Sequence, residues 1–430
     1  MDPLQSKAAA QTLKERLWAP LRLLLPEAKN QRHCPAITDE NWIECGIERG
    51  LTELESGCGF LQNLHFHPQR AAPKRSTYFE GFKSTRRLKH LRLLNDSLTR
   101  SEAQKALLEN PTAGIHPSLQ DFHLQAGDGH FHAASTHDLR DHKGRKNATG
   151  HLYTLNLRTG LLHHLGLSGK GVSKIKPHDM GSLKRLEIET LRQGAARGQK
   201  VLYIWDRAGL DYGVWQRWKQ GSGIYFLSRE KSNTAFIKCG HLPFDQNDSL
   251  NAGVVSDEQG APGGGHMIRR VTFISPDNGE QLVFLTNLPA SIPPGVIAQL
   301  YFLRWRIEKS FDVFKNKLHE RKSWVKNESA KEAHAGFLVL SYNLGWQLHR
   351  ELEREEGVKN VVNEKKQVKR QEALETRAKK LGLILPKLRQ GVQAATQLSV
   401  IYWRWLRSEL RIPTPWTAAL SKLRQTYEHF

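Results

Sequence analysis

Four residues of differing chemistry recur at helical spacing in the run IAQLYFLRWRIEKSFDVFKNKL: Tyr301, Arg304, Glu308 and Lys315. At 100° per residue from Tyr301, they fall between about 300° and 360° on one flank. Leu300, Leu303, Ile307, Phe311, Phe314 and Leu318 fall between about 200° and 280°, an apolar stripe directly beside them. A solvated helix would scatter such groups over its outer face. Here a phenol, a guanidinium, a carboxylate and an ammonium line the margin of a buried face. Arg suits bidentate contact with an oxyanion, Lys acts as a point charge, and carboxylate oxygens suit hard cations. Arg–Glu at i,i+4 is also an ordinary helix-stabilising pair, which leaves a plain structural reading open.

A second acid stands at the end of KVLYIWDRAG, a short apolar run that reads as a buried central strand opening into a loop at Asp206. Upstream, FHLQAGDGHFHAAS alternates around β-breaking glycine. HLYTLNLRTGLLHHLGL reads as two strands joined at Thr159-Gly160. Met180 to Gly198 reads as a helix with Ser182 as N-cap and Leu183, Leu186 and Leu191 at helical spacing. Strands, a helix and a buried strand make an α/β layer, so the expected fold class is α/β.

Five stretches follow from this texture. Residues 1–115 are helical and basic, with Thr38 or Asp39 as a possible N-cap and helix formers running to Pro26. Residues 116–230 hold the first part of the α/β core. Residues 231–290 read as β-hairpins, with Asp277-Asn278-Gly279 as a strong turn and the triple glycine at 263–265 as loop. That glycine run lacks the Lys-Ser/Thr of a phosphate-binding loop. Residues 291–350 return to the core with the Tyr301–Lys315 helix, and residues 351–430 are helical, with 16 basic against 9 acidic residues.

Composition narrows the partners. The 430 residues carry 64 Lys+Arg against 43 Asp+Glu, a net charge of +21, which speaks to polyanions. From Lys74 to Arg100 eight basic residues face Glu80 and Asp96 on an amphipathic pattern of Phe79, Phe82, Leu88, Leu91 and Leu94. This is a candidate DNA surface, with Arg86 and Arg87 at its centre, or else a solvated helix face. With 39% hydrophobic residues the chain is too apolar for disorder, and no stretch approaches the ~20 apolar residues of a membrane span. Arg22 interrupts the apolar patch Leu17–Pro26, which argues against a secretory signal. Four scattered cysteines point to a reducing compartment, so the expected location is cytoplasmic.

Tyr-x2-Arg-x3-Glu-x6-Lys at Tyr301, Arg304, Glu308 and Lys315 resembles the Y-R-E-K signature of DDE transposases of the IS-four insertion-sequence family. The preceding LVFLTNLP and the RWRIE core strengthen the likeness, which covers about 120 to 345. The resemblance implies an RNase H-like core interrupted by a β-rich insertion, with three carboxylates holding two Mg²⁺ (or Mn²⁺) ions. Glu308 matches the third acid. Asp206-Arg207-Ala208-Gly209 matches the usual Asp-Arg-Gly with one inserted alanine, and Asp128-Gly129 is the fit for the first. Asp121, Asp138 and Asp141 are neighbouring acids. The resemblance further implies cleavage and strand transfer at the element ends, with element and target double-stranded DNA as partners. It implies a dimer in the assembled complex, association with the nucleoid through DNA, no membrane, and Tyr301, Arg304 and Lys315 against phosphates. Family members that cut through a hairpin stack an aromatic of the insertion, often Trp, on a flipped base. No Trp occurs between Trp218 and Trp305, so Trp305, ahead of Phe273 and Phe284, is the choice here.

Other readings carry less. Ten histidines lie between His116 and His178, and Asp128, His130 and His132 would share a strand face, but no Cys accompanies them. Cys34, Cys45, Cys58 and His65 lack the close pairs of a zinc module. Asp211 suits a helix start. Competing functions are a catalytically inactive DNA-binding protein derived from a transposase and another RNase H-like nuclease. Terminal inverted repeats in the encoding DNA would favour the transposase.

Overall fold

Alternating and continuous apolar runs build one nine-stranded sheet, and the helices cover it. In the computed structural model, described for residues 12–22, 24, 37–52, 56–66, 72–109, 116–168, 179–263, 265–318, 322–383 and 400–429, the strand order is β3-β2-β1-β4-β5-β9-β8-β7-β6. β1 (Phe122–His132), β2 (Thr149–Asn156) and β3 (Leu162–Leu167) form an antiparallel meander, and Gly160 at φ 74° serves the expected turn. β4 (Lys200–Ile204) and β5 (Ile224–Arg229) then run parallel to β1. Val201 to Trp205 are all buried, which is why this strand reads as a continuous apolar run.

The stretch expected as a β-rich insertion supplies four strands that extend the same sheet. β6 (Phe236–His241), β7 (Val254–Pro262), β8 (Ile268–Ile274) and β9 (Gln281–Thr286) are antiparallel, and β9 pairs with β5. Gly279, at φ 72°, turns β8 into β9 as the Asp-Asn-Gly signal requires. Gly263 and Gly265 lie in the β7–β8 connection.

One face is covered by the N-terminal helices and by three later ones. α1 (Leu13–Arg22), α2 (Asp39–Leu51), α3 (Gly57–His65), α4 (Arg75–Gly81) and α5 (Thr85–Glu109) precede the sheet. Thr38 caps α2 by accepting from the Asn41 amide, so the first of the two candidate caps is used. The opposite face carries α6 (Asp179–Leu183), α7 (Ile188–Leu191) and α8 (Tyr212–Ser222) around Tyr203, Trp205 and Trp215. The single helix expected from Met180 to Gly198 is therefore two short ones. Extended backbone at Glu187 (ψ 147°) separates them and lets Leu183 and Leu191 both reach the core. Ser182 sits inside α6, its hydroxyl donating to the Ser168 carbonyl at 2.6 Å, and caps nothing.

After β9 come α9 (Pro294–Leu303), α10 (Trp305–Asn316) and α11 (Glu328–Arg354), then α12 (Val361–Lys380), α13 (Val400–Leu410) and α14 (Trp416–His429). α11, capped by Asn327, packs on α2, α5 and β3 and joins the N-terminal helices to the sheet. Mixed α/β architecture with helical N- and C-terminal regions is as expected, and the β3-β2-β1-β4-β5 half is consistent with an RNase H-like core. Among the described residues no helix is long and apolar enough to cross a membrane. Pro26, Cys34 and His178 lie outside the described residues.

Candidate active site

Two acids arrive through the parallel ladder. Ala126 pairs with Ile204 across β1 and β4, and two residues further along each chain stand Asp128 and Asp206. With a strand period of two, both carry their side chains to the same face at the same end. Asp206 has extended backbone and starts a short turn over Arg207–Gly209, where its carboxylate accepts from the Ala208 amide at 2.8 Å. The inserted alanine thus supplies the capping amide. Behind the acids lies the buried Trp205 indole, against which a side chain at Gly127 would come within 2.4 Å and one at Gly209 within 2.8 Å. Glycine at both places lets β1 and the turn after β4 close on the ring.

The third acid comes from the helix pair α9–α10. The periodicity predicts one helix, but the ladder tightens at Arg304. The Arg304 amide donates to Tyr301 and the Ile307 amide to Arg304, both across three residues. Arg304 itself stays right-handed (φ −54°, ψ −34°), so the stripe survives the break. Leu300, Leu303, Ile307, Phe311, Phe314 and Leu318 are all buried. α10 packs on β1 and β2, which sets Glu308 over β1. Arg306 donates to the Leu157 carbonyl at 2.6 Å, and Ser310 meets the Tyr342 hydroxyl at 3.1 Å. These two anchors were missed in the sequence because the wheel sets Arg306 away from both stripes.

Arg304 is the centre of the cluster. Its guanidinium donates to Asp128 at 3.0 Å and to Glu308 at 2.7 Å, with the Tyr301 and Trp305 rings each 5.9 Å away. Burial pushes Asp128 up to about 7, and the charges of Asp206 and Glu308 add to this, although Arg304 pulls it down. Burial works against the Arg304 charge, yet Asp128, Tyr301 and Glu308 together hold it firmly protonated. Burial likewise raises the Tyr301 phenol. Among the described residues no three His, Cys, Asp or Glu side chains stand close enough to enclose an ion, and a guanidinium bridges Asp128 and Glu308.

The neighbouring acids go elsewhere. Asp138 pairs with buried Lys331 at 2.9 Å, Asp141 accepts from the Lys143 and Arg145 amides, and Asp121 is exposed where β1 begins. Asp211 caps α8 through the Val214 amide and pairs with Lys184 at 2.5 Å, a helix start as read. Lys315 is exposed on α10, and Trp305 is 55% exposed. Phe273 and Phe284 are wholly buried, packed on Phe302 and Tyr301, so neither offers a face to a base. Arg86 and Arg87 both pair with Asp39, and Arg87 also donates to the Ile37 carbonyl at 2.7 Å, tying α5 to the start of α2. Their guanidiniums hold Asp39 down at about 2. His130 stacks on Phe311 at 4.6 Å and His132 meets the Tyr153 hydroxyl at 2.6 Å, both inside the core.

The family model described as the transposase DDE domain matches residues 126–344, just over half of the chain. The chain belongs to that family. The match opens two residues before Asp128 and runs through the sheet, α9, α10 and much of α11 of this transposase. No curated protein matches the transposase.

Proposed function

We propose that this transposase is of the IS-four type, binds the ends of an insertion sequence and cuts and joins DNA there through Asp128, Asp206 and Glu308. The observation that carries the reading is the gathering of Asp128 and Glu308 on one guanidinium, with Asp206 at the matching position of the adjacent parallel strand. Y-R-E-K spacing on a half-buried flank supports the same reading.

DDE transposases generally use divalent metal ions. The donor set fits: three carboxylates with hard oxygens, and a cation already seated between two of them. Asp128, Asp206 and Glu308 would hold the ions, which when bound activate the attacking oxygen and stabilise the leaving one. The protein supplies the rest. Trp205, Gly127 and Gly209 fix the two strand acids, and Arg306 and Ser310 fix Glu308. Tyr301 offers a phenol that burial keeps protonated, a donor for a phosphate oxygen. Lys315 contributes an exposed positive charge two turns beyond Glu308.

Residues 1–115 are assigned to DNA binding, 116–230 and 291–350 to the catalytic core, 231–290 to the insertion, and 351–430 to a basic helical region. The +21 charge supports double-stranded DNA as partner. A dimer on the DNA and action at the nucleoid belong to the same reading. Asp39 engages Arg86 and Arg87, so their contribution to DNA would pass through the helix they hold. The test is end cleavage on DNA carrying the terminal inverted repeats of the encoding element. Cleavage that needs Mg²⁺ or Mn²⁺ supports the proposal. Tight end binding with no cleavage under any divalent cation would mark the chain as a DNA-binding derivative instead.

A further inference from the structure

Two buried arginines of this protein hold carboxylates in different ways. Arg269 meets a single acid in a fork, Nε to Asp257 at 2.8 Å and Nη2 to its other oxygen at 2.5 Å, and gives Nη1 to the Pro289 carbonyl at 2.8 Å. Every nitrogen is used, as in a permanent structural pair. Arg304 divides itself instead. One nitrogen goes to Asp128 and another to Glu308, while the Nε–H is buried with no hydrogen-bond partner. An unsatisfied buried donor is costly, so this seat leaves part of the guanidinium's bonding capacity unused.

The surroundings show why it sits there all the same. Asp128 lies within reach of the Asp206 and Glu308 charges, and one guanidinium is the nearest neutralising group. Carboxylates gathered in a half-buried place need a cation, and removing the one that bridges Asp128 and Glu308 leaves their charge poorly compensated. On the other side, Tyr301 and half-exposed Trp305 flank the same guanidinium. α10 begins at the next residue, after backbone bonds that span three residues. The side chain is therefore mounted at a break, between an acid cluster and an open edge.

We propose that Arg304 is a tethered counter-cation, which neutralises Asp128 and Glu308 while no metal is bound and surrenders them when a divalent cation enters. This rests on the reading of Asp128, Asp206 and Glu308 as metal ligands. In this account the guanidinium competes with metal for two of the three acids. It is a positioning group for the metal-free state, and on release it becomes free for an anion outside the cluster.

The experiment is Mn²⁺ binding to full-length protein without DNA, followed by the loss of the free Mn²⁺ electron paramagnetic resonance signal. Arg304→Gln removes the competitor and should bind Mn²⁺ at least about tenfold more tightly than the unsubstituted chain. Its thermal stability without metal should fall and its gain on adding Mn²⁺ should be larger. Arg304→Lys keeps a charge that cannot span both acids and should lie between. If Arg304→Gln fails to fold, the Lys variant alone decides, through the same tightening. Affinity that is unchanged or weaker in folded variants overturns the inference and leaves the metal reading standing. No Mn²⁺ binding by any of the three proteins overturns both.

Discussion

A methyl group added at Gly127 should disturb the acid cluster without touching an acid. The new Cβ would lie 2.4 Å from Cε2 and 2.5 Å from Cζ2 of Trp205, far inside van der Waals contact. The indole cannot retreat easily. It is 1% exposed, Gly209 closes on its Cβ, and Tyr203 stacks on it at 6.4 Å. Overpacking of a core costs ~1–3 kcal/mol, and a clash with a trapped aromatic ring belongs at the upper end, near ~3 kcal/mol. Trp205→Phe alone loses part of a buried ring, about 1–2 kcal/mol against the 3–5 of full truncation. Because Phe lacks the atoms that collide, the double variant should recover part of the sum, with a coupling of about 1–2 kcal/mol. Urea unfolding followed by Trp fluorescence and circular dichroism gives all four corners of the cycle. Cleavage should fall in Gly127→Ala and return in part in the double variant, since Asp128 follows Gly127 and Asp206 follows Trp205. Stability of Gly127→Ala within about 0.5 kcal/mol of the parent, or strict additivity, would refute the packing argument.

The histidines of the core make stability fall in acid. His132, His151 and His334 are held well below the ordinary value by burial and His164 is held at about 3, so the unfolded chain takes up protons first. Their contribution is complete above about pH 6.5 and is lost as pH falls, each group costing up to ~1.4 kcal/mol per pH unit. His123, held at about 3, and His349, held at about 4, add to them. Asp128, raised to about 7, works in the opposite sense, as do Glu332, Glu351 and Glu353, which burial also raises, but these four face six histidines; an unchanged melting temperature between pH 7.5 and 5.5 would contradict this. Trp305→Ala should spare the first nick and slow second-strand cutting, and 2-aminopurine near the element end should lose its extrusion signal; full extrusion would make Trp305 a packing residue. End binding should weaken by roughly 10³-fold or more between 50 and 200 mM salt if six or more phosphates are contacted. Arg87→Glu should lower the melting temperature more than Arg86→Glu, because Arg87 is the more buried partner of Asp39 and also holds Ile37; the reverse order would contradict the tie between α2 and α5.

Much of the α/β half was legible because its signals are periodic. The apolar run before Asp206 is a buried strand, and all six residues of the stripe from Leu300 to Leu318 are buried. What periodicity cannot see is a single turn. Three-residue hydrogen bonds at Arg304 leave the wheel intact and yet separate two helices, and an extended Glu187 divides what reads as one helix. Partners distant in sequence were equally hidden. Arg86 and Arg87 read as surface charge until Asp39, 47 residues earlier than Arg86, is seen between them. Arg304 read as a phosphate ligand, and nothing in its spacing shows that Asp128, 176 residues away, takes one of its nitrogens. The 231–290 stretch reads as hairpins and folds as four antiparallel strands, while the pairing of β9 with β5 is a long-range contact that no local signal carries.

The proposed function depends on Asp128, Asp206 and Glu308 acting together on DNA. It is tested most directly by end cleavage and joining with Asp128→Asn, Asp206→Asn and Glu308→Gln, each beside an end-binding assay. Every one of the three should abolish both reactions in Mg²⁺ while binding of the element ends persists. Substantial Mg²⁺-dependent cleavage by Asp206→Asn would contradict it.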